Sequence, residues 1–135
     1  MNIADALAVS ARGMDAQTAR LRIIAENLAN QDTTGSTPGA DAYRRKVVSF
    51  ENRVDSALGT PVVHVKKVTT DNSALPQRYD PSHPAADAKG YVKTPNVNSF
   101  IEMMDMREAQ RSYTANLNVL EVTRSMLTRT IELLK

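Results

Sequence analysis

The stretch from residue 3 to residue 30, IADALAVSARGMDAQTARLRIIAENLAN, decides how the rest of the chain can be organised. Its large apolar residues recur every three, four or seven positions, and it contains no proline. That spacing predicts an amphipathic α-helix roughly 42 Å long. We expect it to end near Asn30, where asparagine can adopt a left-handed helix cap. The residues expected to pack along this helix are Leu7, Met14, Leu21, Ile24 and Leu28.

A second proline-free stretch follows Pro95 and has the same kind of apolar period. Ser99 and Glu102 have the spacing of a capping box, which would start a helix there, and Asn96 or Asn98 are alternative starts. The apolar stripe then continues for about five heptads, as in a coiled coil. The residues expected to pack along this second helix are Met106, Tyr113, Leu117, Leu120, Leu127 and Ile131.

The centre of the chain has a different composition from the two arms. All six prolines and four of the five glycines lie between residues 31 and 95. Residues 43–50 and 62–68 are rich in residues that favour strands and predict a small antiparallel pair, whereas the prolines after residue 71 predict an ordered loop or extended segment. We therefore divide the chain into segments 1–30, 31–95 and 96–135.

These segments predict a mainly α fold. Two long terminal helices would form an antiparallel coiled-coil hairpin, with a small β/loop region between them. A small self-contained bundle is the simpler interpretation of such helices. However, two helices of unequal length bury little apolar surface, so the pattern favours assembly with other chains.

Composition argues against several classes of protein. The chain has 135 residues with 17 basic and 15 acidic side chains, a net charge of +2, and no cysteine. It has no apolar run of the ~20 residues needed to span a bilayer, and its N-terminal stretch lacks the features of a Sec signal peptide. His64 and His83 do not have metal-ligand spacing, and no nucleophile or phosphate-binding motif is present. We therefore expect a protein that is not an enzyme and has no cofactor, metal or catalytic residue.

Two short basic runs lie in the centre, at residues 44–46 and at Lys66 and Lys67. They could bind nucleic acid, but no set of stacking aromatic residues accompanies them. A solvated strand face, or a patch for an acidic protein partner, is the preferred interpretation.

Several short motifs stand out near the two ends of the chain. Residues 27–30 read Asn-Leu-Ala-Asn, and residues 111–116 read Arg-Ser-Tyr-Thr-Ala-Asn. These motifs resemble those of the flagellar rod, hook and hook-associated proteins. Between them, residues 43–46, 79–84 and 90–92 are similar to a short proximal-rod member of this family, although Ala42 stands where the family often has proline. The motif residues are Asn27, Leu28, Ala29, Asn30, Thr33, Thr34, Pro95, Asn96, Val97, Asn98, Arg111, Tyr113 and Asn116.

The resemblance implies a structural subunit of the proximal rod of the bacterial flagellar basal body. Such a subunit assembles helically and transmits torque from rotor to hook and filament. Its expected partners are further copies of itself, other rod proteins, the base of the rotor ring and the flagellar type III export apparatus, with no nucleic acid. It would lie in the periplasm, exported without a cleaved signal peptide and without spanning the membrane. Asparagines such as Asn27, Asn30 and Asn116 would fix the register of the helices. The alternative is a free-standing coiled-coil adaptor.

Overall fold

The computed structural model describes residues 3–134. Residues 1, 2 and 135, at the outer ends of the predicted segments 1–30 and 96–135, lie outside the described part of the chain. The elements are α1 (Ile3–Ala29), β1 (Lys46–Val54), β2 (Pro61–Thr70), β3 (Gln77–Tyr79), β4 (Tyr91–Lys93) and α2 (Ser99–Leu133). Strands β1 and β2 form one two-stranded sheet, and β3 and β4 form another. Neither helix, within these residues, is long and apolar enough to cross a membrane.

The predicted mainly α coiled-coil hairpin is wrong. Only 47% of the structure is helical and 19% is strand, in two small antiparallel sheets. The two helices are separated by a central region that carries all four strands. The apolar period correctly predicted two helices, but a helical period does not specify what the helix packs against.

The chain forms two compact units that interleave along the sequence. One unit contains residues up to 21, residues 48–67 and residues from 107 onward, and the other contains residues 22–47 and 68–106. Each helix therefore contributes to both units, and so does the β1–β2 sheet. The division into segments 1–30, 31–95 and 96–135 stays a prediction.

Small and polar residues bring the helices together in the unit that contains residues up to 21. A β-carbon at Gly13 would lie only 3.0 Å from the side-chain oxygen of Asn116. Because glycine has no side chain, the Asn116 side chain can pack directly against the backbone of α1. Arg20 is paired with Glu108 at 3.7 Å. Ala16 and Ala109 are both buried.

Apart from Ile24, the large apolar residues that we expected to form the seam are less buried than Ala16 and Ala109. Ile24 is buried, and Leu127 and Ile131 are exposed. Their role in assembly stays a prediction. The residues of intermediate exposure are Leu7, Met14, Leu21, Leu28, Met106, Tyr113, Leu117 and Leu120.

The β3–β4 pair lies in the other unit, where a loop or extended segment was expected. Tyr79 is opposite Tyr91 in its register, and their rings meet edge to face with centroids 5.4 Å apart. The tight return into β4 is held by Asp87, whose carboxylate accepts hydrogen bonds from the backbone N–H groups of Lys89 (2.8 Å) and Tyr91 (2.9 Å). These bonds to the charged form lower the pKa of Asp87.

Gly90 completes this return and is the position where alanine should be most damaging to the sheet. Its φ is +85°, and a β-carbon there would lie 2.9 Å from Cε2 of Tyr79 and 3.2 Å from Cβ of Pro81. Gly90→Ala should therefore lower the free energy of unfolding by about 2 kcal/mol or more, from left-handed strain of roughly 1 kcal/mol plus the clash. Urea unfolding of the full chain measures this loss.

Gly39→Ala is the matched control for Gly90→Ala. Gly39 has a similar φ of +74°, but a β-carbon there meets nothing within 4 Å. It should cost only the backbone strain, about 1 kcal/mol. Equal losses in the two variants would contradict the close approach of Tyr79 and Pro81.

Candidate functional site

The side chain of Asn30 caps the C-terminal end of helix α1. Its Nδ2 donates to the backbone carbonyl of Glu26 at 2.9 Å, and its Oδ1 accepts from Oγ1 of Thr33 at 3.1 Å. The expected left-handed cap is wrong, because no residue other than glycine has a positive φ within residues 3–134. An asparagine side chain can donate a hydrogen bond to a backbone carbonyl in the last turn of the helix, so the backbone does not need to adopt a left-handed conformation there.

Asn27 lies one turn earlier and is 1% exposed. Its Nδ2 donates to the backbone carbonyl of Lys46 at 2.8 Å and to Oε2 of Glu102 at 3.1 Å. Its Oδ1 accepts from the backbone N–H of Lys46 at 2.8 Å and from the hydroxyl of Tyr43 at 2.9 Å. A primary amide has two donor hydrogens and two acceptor lone pairs, so Asn27 uses its full capacity.

Glu102 provides the link to helix α2 and is 0% exposed. Its Oε1 accepts from Nε of Arg45 at 2.5 Å, and Nη2 of Arg45 lies 3.5 Å from Asp105. A buried carboxylate is tolerated when a cation and hydrogen bonds compensate it, as they do here. We call Asn27, Tyr43, Arg45, Lys46 and Glu102 the polar cluster.

The motif at residues 95–98 contacts the polar cluster through Asn96. Oδ1 of Asn96 accepts from the backbone N–H of Arg45 at 2.8 Å. Nδ2 of Asn96 donates to the carbonyl of Asp71 at 3.1 Å and to Oγ of Ser73 at 2.9 Å. Asp71 in turn accepts from the backbone N–H of Ser73, which lowers the pKa of Asp71.

Asn98, and not Ser99, caps the start of α2. Its Oδ1 accepts from the backbone N–H groups of Phe100 (3.0 Å) and Ile101 (3.3 Å). The expected capping box is wrong because Glu102 is used in the polar cluster, and the hydroxyl of Ser99 donates to Gln31 instead. Asn98 was one of the alternative starts in the sequence.

The electrostatics of the cluster are balanced. Nζ of Lys46 is hydrogen-bonded to Glu26, and this bond raises the pKa of Lys46. Burial, and next the nearby Glu26 carboxylate, raise the pKa of Tyr43, so its hydroxyl stays a neutral donor to Asn27.

Each side chain of the basic run at residues 44–46 is paired with a carboxylate. Arg44 lies 3.5 Å from Asp41, Arg45 is paired with Glu102, and Lys46 is paired with Glu26. A phosphate backbone would have to compete with all three pairs.

The remaining motif residues have separate positions. Oγ1 of Thr34 lies 3.3 Å from Nε2 of His83, and Nδ1 of His83 accepts from the backbone N–H of Ala85 at 3.0 Å. Asn116 lies beside Gly13, with its Nδ2 bonded to the carbonyl of Ser112 at 3.0 Å. Tyr113 is partly buried and Arg111 is exposed.

Sequence reasoning missed the roles of Glu102 and Arg45, which were interpreted as a cap and as part of a basic run. A signal was present in the spacing. Glu102, Ala109 and Asn116 are seven residues apart on α2, as are Gly13, Arg20 and Asn27 on α1. Residues at this spacing share one face of a helix, so each of these two sets lies on a single face.

Comparisons with known proteins match both ends of the chain. Residues 7–37 match the family model "Flagella basal body rod protein", and residues 88–133 match "Flagellar basal body rod FlgEFG protein C-terminal". The first match covers α1 from residue 7 to its end, together with Asn30, and the second covers the whole of α2.

Relatives match along nearly the whole length. A protein of Agrobacterium fabrum named flagellar basal-body rod protein FlgC is 52% identical over 127 residues, covering 94% of this chain and 91% of that one. Its namesake in Salmonella typhimurium is 40% identical, covering 98% and 96% of the two chains. The namesake in Bacillus subtilis is 37% identical, covering 94% and 95%. The order of motifs along the sequence, the matches at both ends and these relatives agree, and the chain belongs to the FlgC family of flagellar basal-body rod proteins.

Proposed function

We propose that this chain is a structural subunit of the flagellar basal-body rod. It packs against further copies of itself and against other rod proteins, and it carries torque from rotor to hook and filament. The names of its relatives support the rod role. The role needs no catalytic step, and we propose that the protein is not an enzyme.

The observation that carries the proposal lies on the last part of α2. Val119 is exposed, and so is every large apolar side chain from Val122 to Leu134; Leu133 is 87% exposed. Contiguous exposed apolar surface of this kind marks a protein contact. The exposed side chains are Val119, Val122, Met126, Leu127, Ile131, Leu133 and Leu134.

The rod role also supports proposals about further partners, export and the form of the assembly. We propose that the base of the rotor ring is a further partner and that the flagellar type III apparatus exports the chain to the periplasm without cleaving a signal peptide. Close-packed interfaces between subunits would resist twisting because packed side chains deform little. Contacts between different faces of successive copies would generate a helical tube, not a closed ring.

The test places charges on the exposed apolar side chains of α2. The Val122→Glu/Met126→Glu variant should be absent from purified basal bodies. Cells in which the gene for this variant replaces the native gene should not swim. Carboxylates in a buried contact lack compensation and cost several kcal/mol. Immunoblotting of basal bodies and swimming in soft agar are the two readouts.

Ser125→Glu/Thr128→Glu is the matched control, because it adds the same two charges to exposed polar positions of the same turns. It should be incorporated and support swimming. Normal incorporation of the Val122→Glu/Met126→Glu variant would overturn the proposed contact.

A further inference from the structure

Strand β2 has an edge that the structure leaves without a strand partner. It is ten residues long and is hydrogen-bonded to β1 alone; no third strand lies beside it within residues 3–134. A strand has two edges, so the second edge presents backbone donors and acceptors that an added strand can satisfy. Such an edge is a template for pairing with another chain.

The second half of β2 is the accessible half. Val62, near its start, is buried, and Val63 and Val65 border a recess with Arg12 and Ala16 of α1. Val65 borders this recess but is still 39% exposed, and all residues from 66 to 70 are exposed, although side chains along a strand point alternately to opposite faces. Both faces of this half are therefore open, together with its edge.

The exposed side chains of β2 include apolar ones that a two-stranded sheet does not cover. Val65 is 39% exposed and Val68 is 44% exposed. A two-stranded sheet is marginally stable in water and gains from a third strand that covers such side chains. A strand partner with β-branched residues would do this.

Charge indicates what kind of strand fits. Lys66 is paired with Glu51 at 3.7 Å. No carboxylate in residues 3–134 pairs with Lys67, and residues 61–70 contain no acidic residue. Pairing with the same strand of a second copy would place lysines beside lysines, which is unfavourable. An acidic strand would be attracted.

We propose that residues 65–70 of β2 bind an extended acidic segment of a different protein by strand addition. The backbone of the edge provides the hydrogen bonds, Val65 and Val68 provide apolar contact, and Lys67 selects acidic side chains. The proposal that this segment belongs to another protein of the basal body rests on the proposed function. The proposal that the edge binds an acidic strand does not depend on that function.

The test uses labelled peptides and the full chain. Fluorescence anisotropy should show the peptide TVEVEVT binding at least tenfold more tightly than TVKVKVT. The peptide TVEPEVT should not bind, because proline removes a donor and does not fit a strand. Hydrogen exchange should show that TVEVEVT protects amides within residues 65–70.

Two charge-reversal variants test whether the peptide binds at the edge of β2 or elsewhere on the β1–β2 sheet. Lys67→Glu should weaken binding of TVEVEVT at least tenfold, whereas Arg53→Glu, at an exposed position on β1, should change it less than twofold. Circular dichroism checks that both variants keep their fold.

Three results would overturn the proposal: no binding of TVEVEVT at millimolar concentration, equal binding of the acidic and basic peptides, or protection outside residues 65–70. The first would mean that the lysines serve only to keep strands away from this edge. None of these results bears on incorporation into basal bodies, so the rod role is tested separately.

Discussion

Asn27→Ala should lower the free energy of unfolding by about 3–5 kcal/mol. The substitution removes four hydrogen bonds at once and leaves the backbone N–H and carbonyl of Lys46, the hydroxyl of Tyr43 and one oxygen of Glu102 without their partner. Each buried polar group left unsatisfied costs about 1–3 kcal/mol, and some of them will recover water. Urea unfolding of the full chain, followed by circular dichroism, gives the loss.

Asn30→Ala is the control for this prediction, because it changes the same residue type in the same motif. Asn30 is only partly buried, and its side chain makes two bonds within residues 26–33. Its removal should cost about 1 kcal/mol, as the loss of a helix cap does. If the two variants lose the same stability, Asn27 does not act through the polar cluster.

The second large effect concerns the pair of Arg45 and Glu102. Arg45→Met leaves the carboxylate of Glu102, which is fully buried, with Asn27 as its only side-chain partner within residues 3–134. The expected loss is about 3–4 kcal/mol. Glu102→Leu should cost less, because the side chain of Arg45 is 24% exposed and keeps Asp105 nearby.

The double variant Arg45→Met/Glu102→Leu should recover part of this loss, since neither charge is then left alone. A coupling free energy of about 2 kcal/mol is expected from the four unfolding measurements. The control cycle uses Arg20→Met and Glu108→Leu, a pair at 3.7 Å in which Glu108 is 67% exposed. Its coupling should stay below about 1 kcal/mol. Equal coupling in both cycles would show that burial of Glu102 does not strengthen its pair.

The family predicted from the sequence is confirmed. It rested on short motifs in a fixed order, such as residues 27–30 and 95–98. In the structure, residues of these motifs act together. Asn27, Asn96 and Glu102 use their polar atoms to join segments that are far apart in the chain, and another residue type at any of these positions would leave a buried group unpaired.

The local elements could also be predicted from the sequence. Proline-free stretches with an apolar period became α1 and α2, and two β-rich stretches became β1 and β2, with bounds shifted by a few residues. The β3–β4 pair was missed because each strand has only three residues and lies among prolines. Its stability comes from the Tyr79–Tyr91 pairing and the turn at Gly90, and neither leaves a periodic signal.

By itself, the sequence determined where the chain is helical, where it is extended and to which family it belongs, because these properties depend on local spacing and on the order of motifs. Only the tertiary structure decided which side of each helix is used. Large apolar residues such as Leu127 and Ile131 are exposed, while Gly13, Asn27 and Glu102 make the close contacts. The reason is physical: a helix approaches a neighbour most closely where its side chains are small, and a buried polar group is stable only when a distant segment supplies its partner.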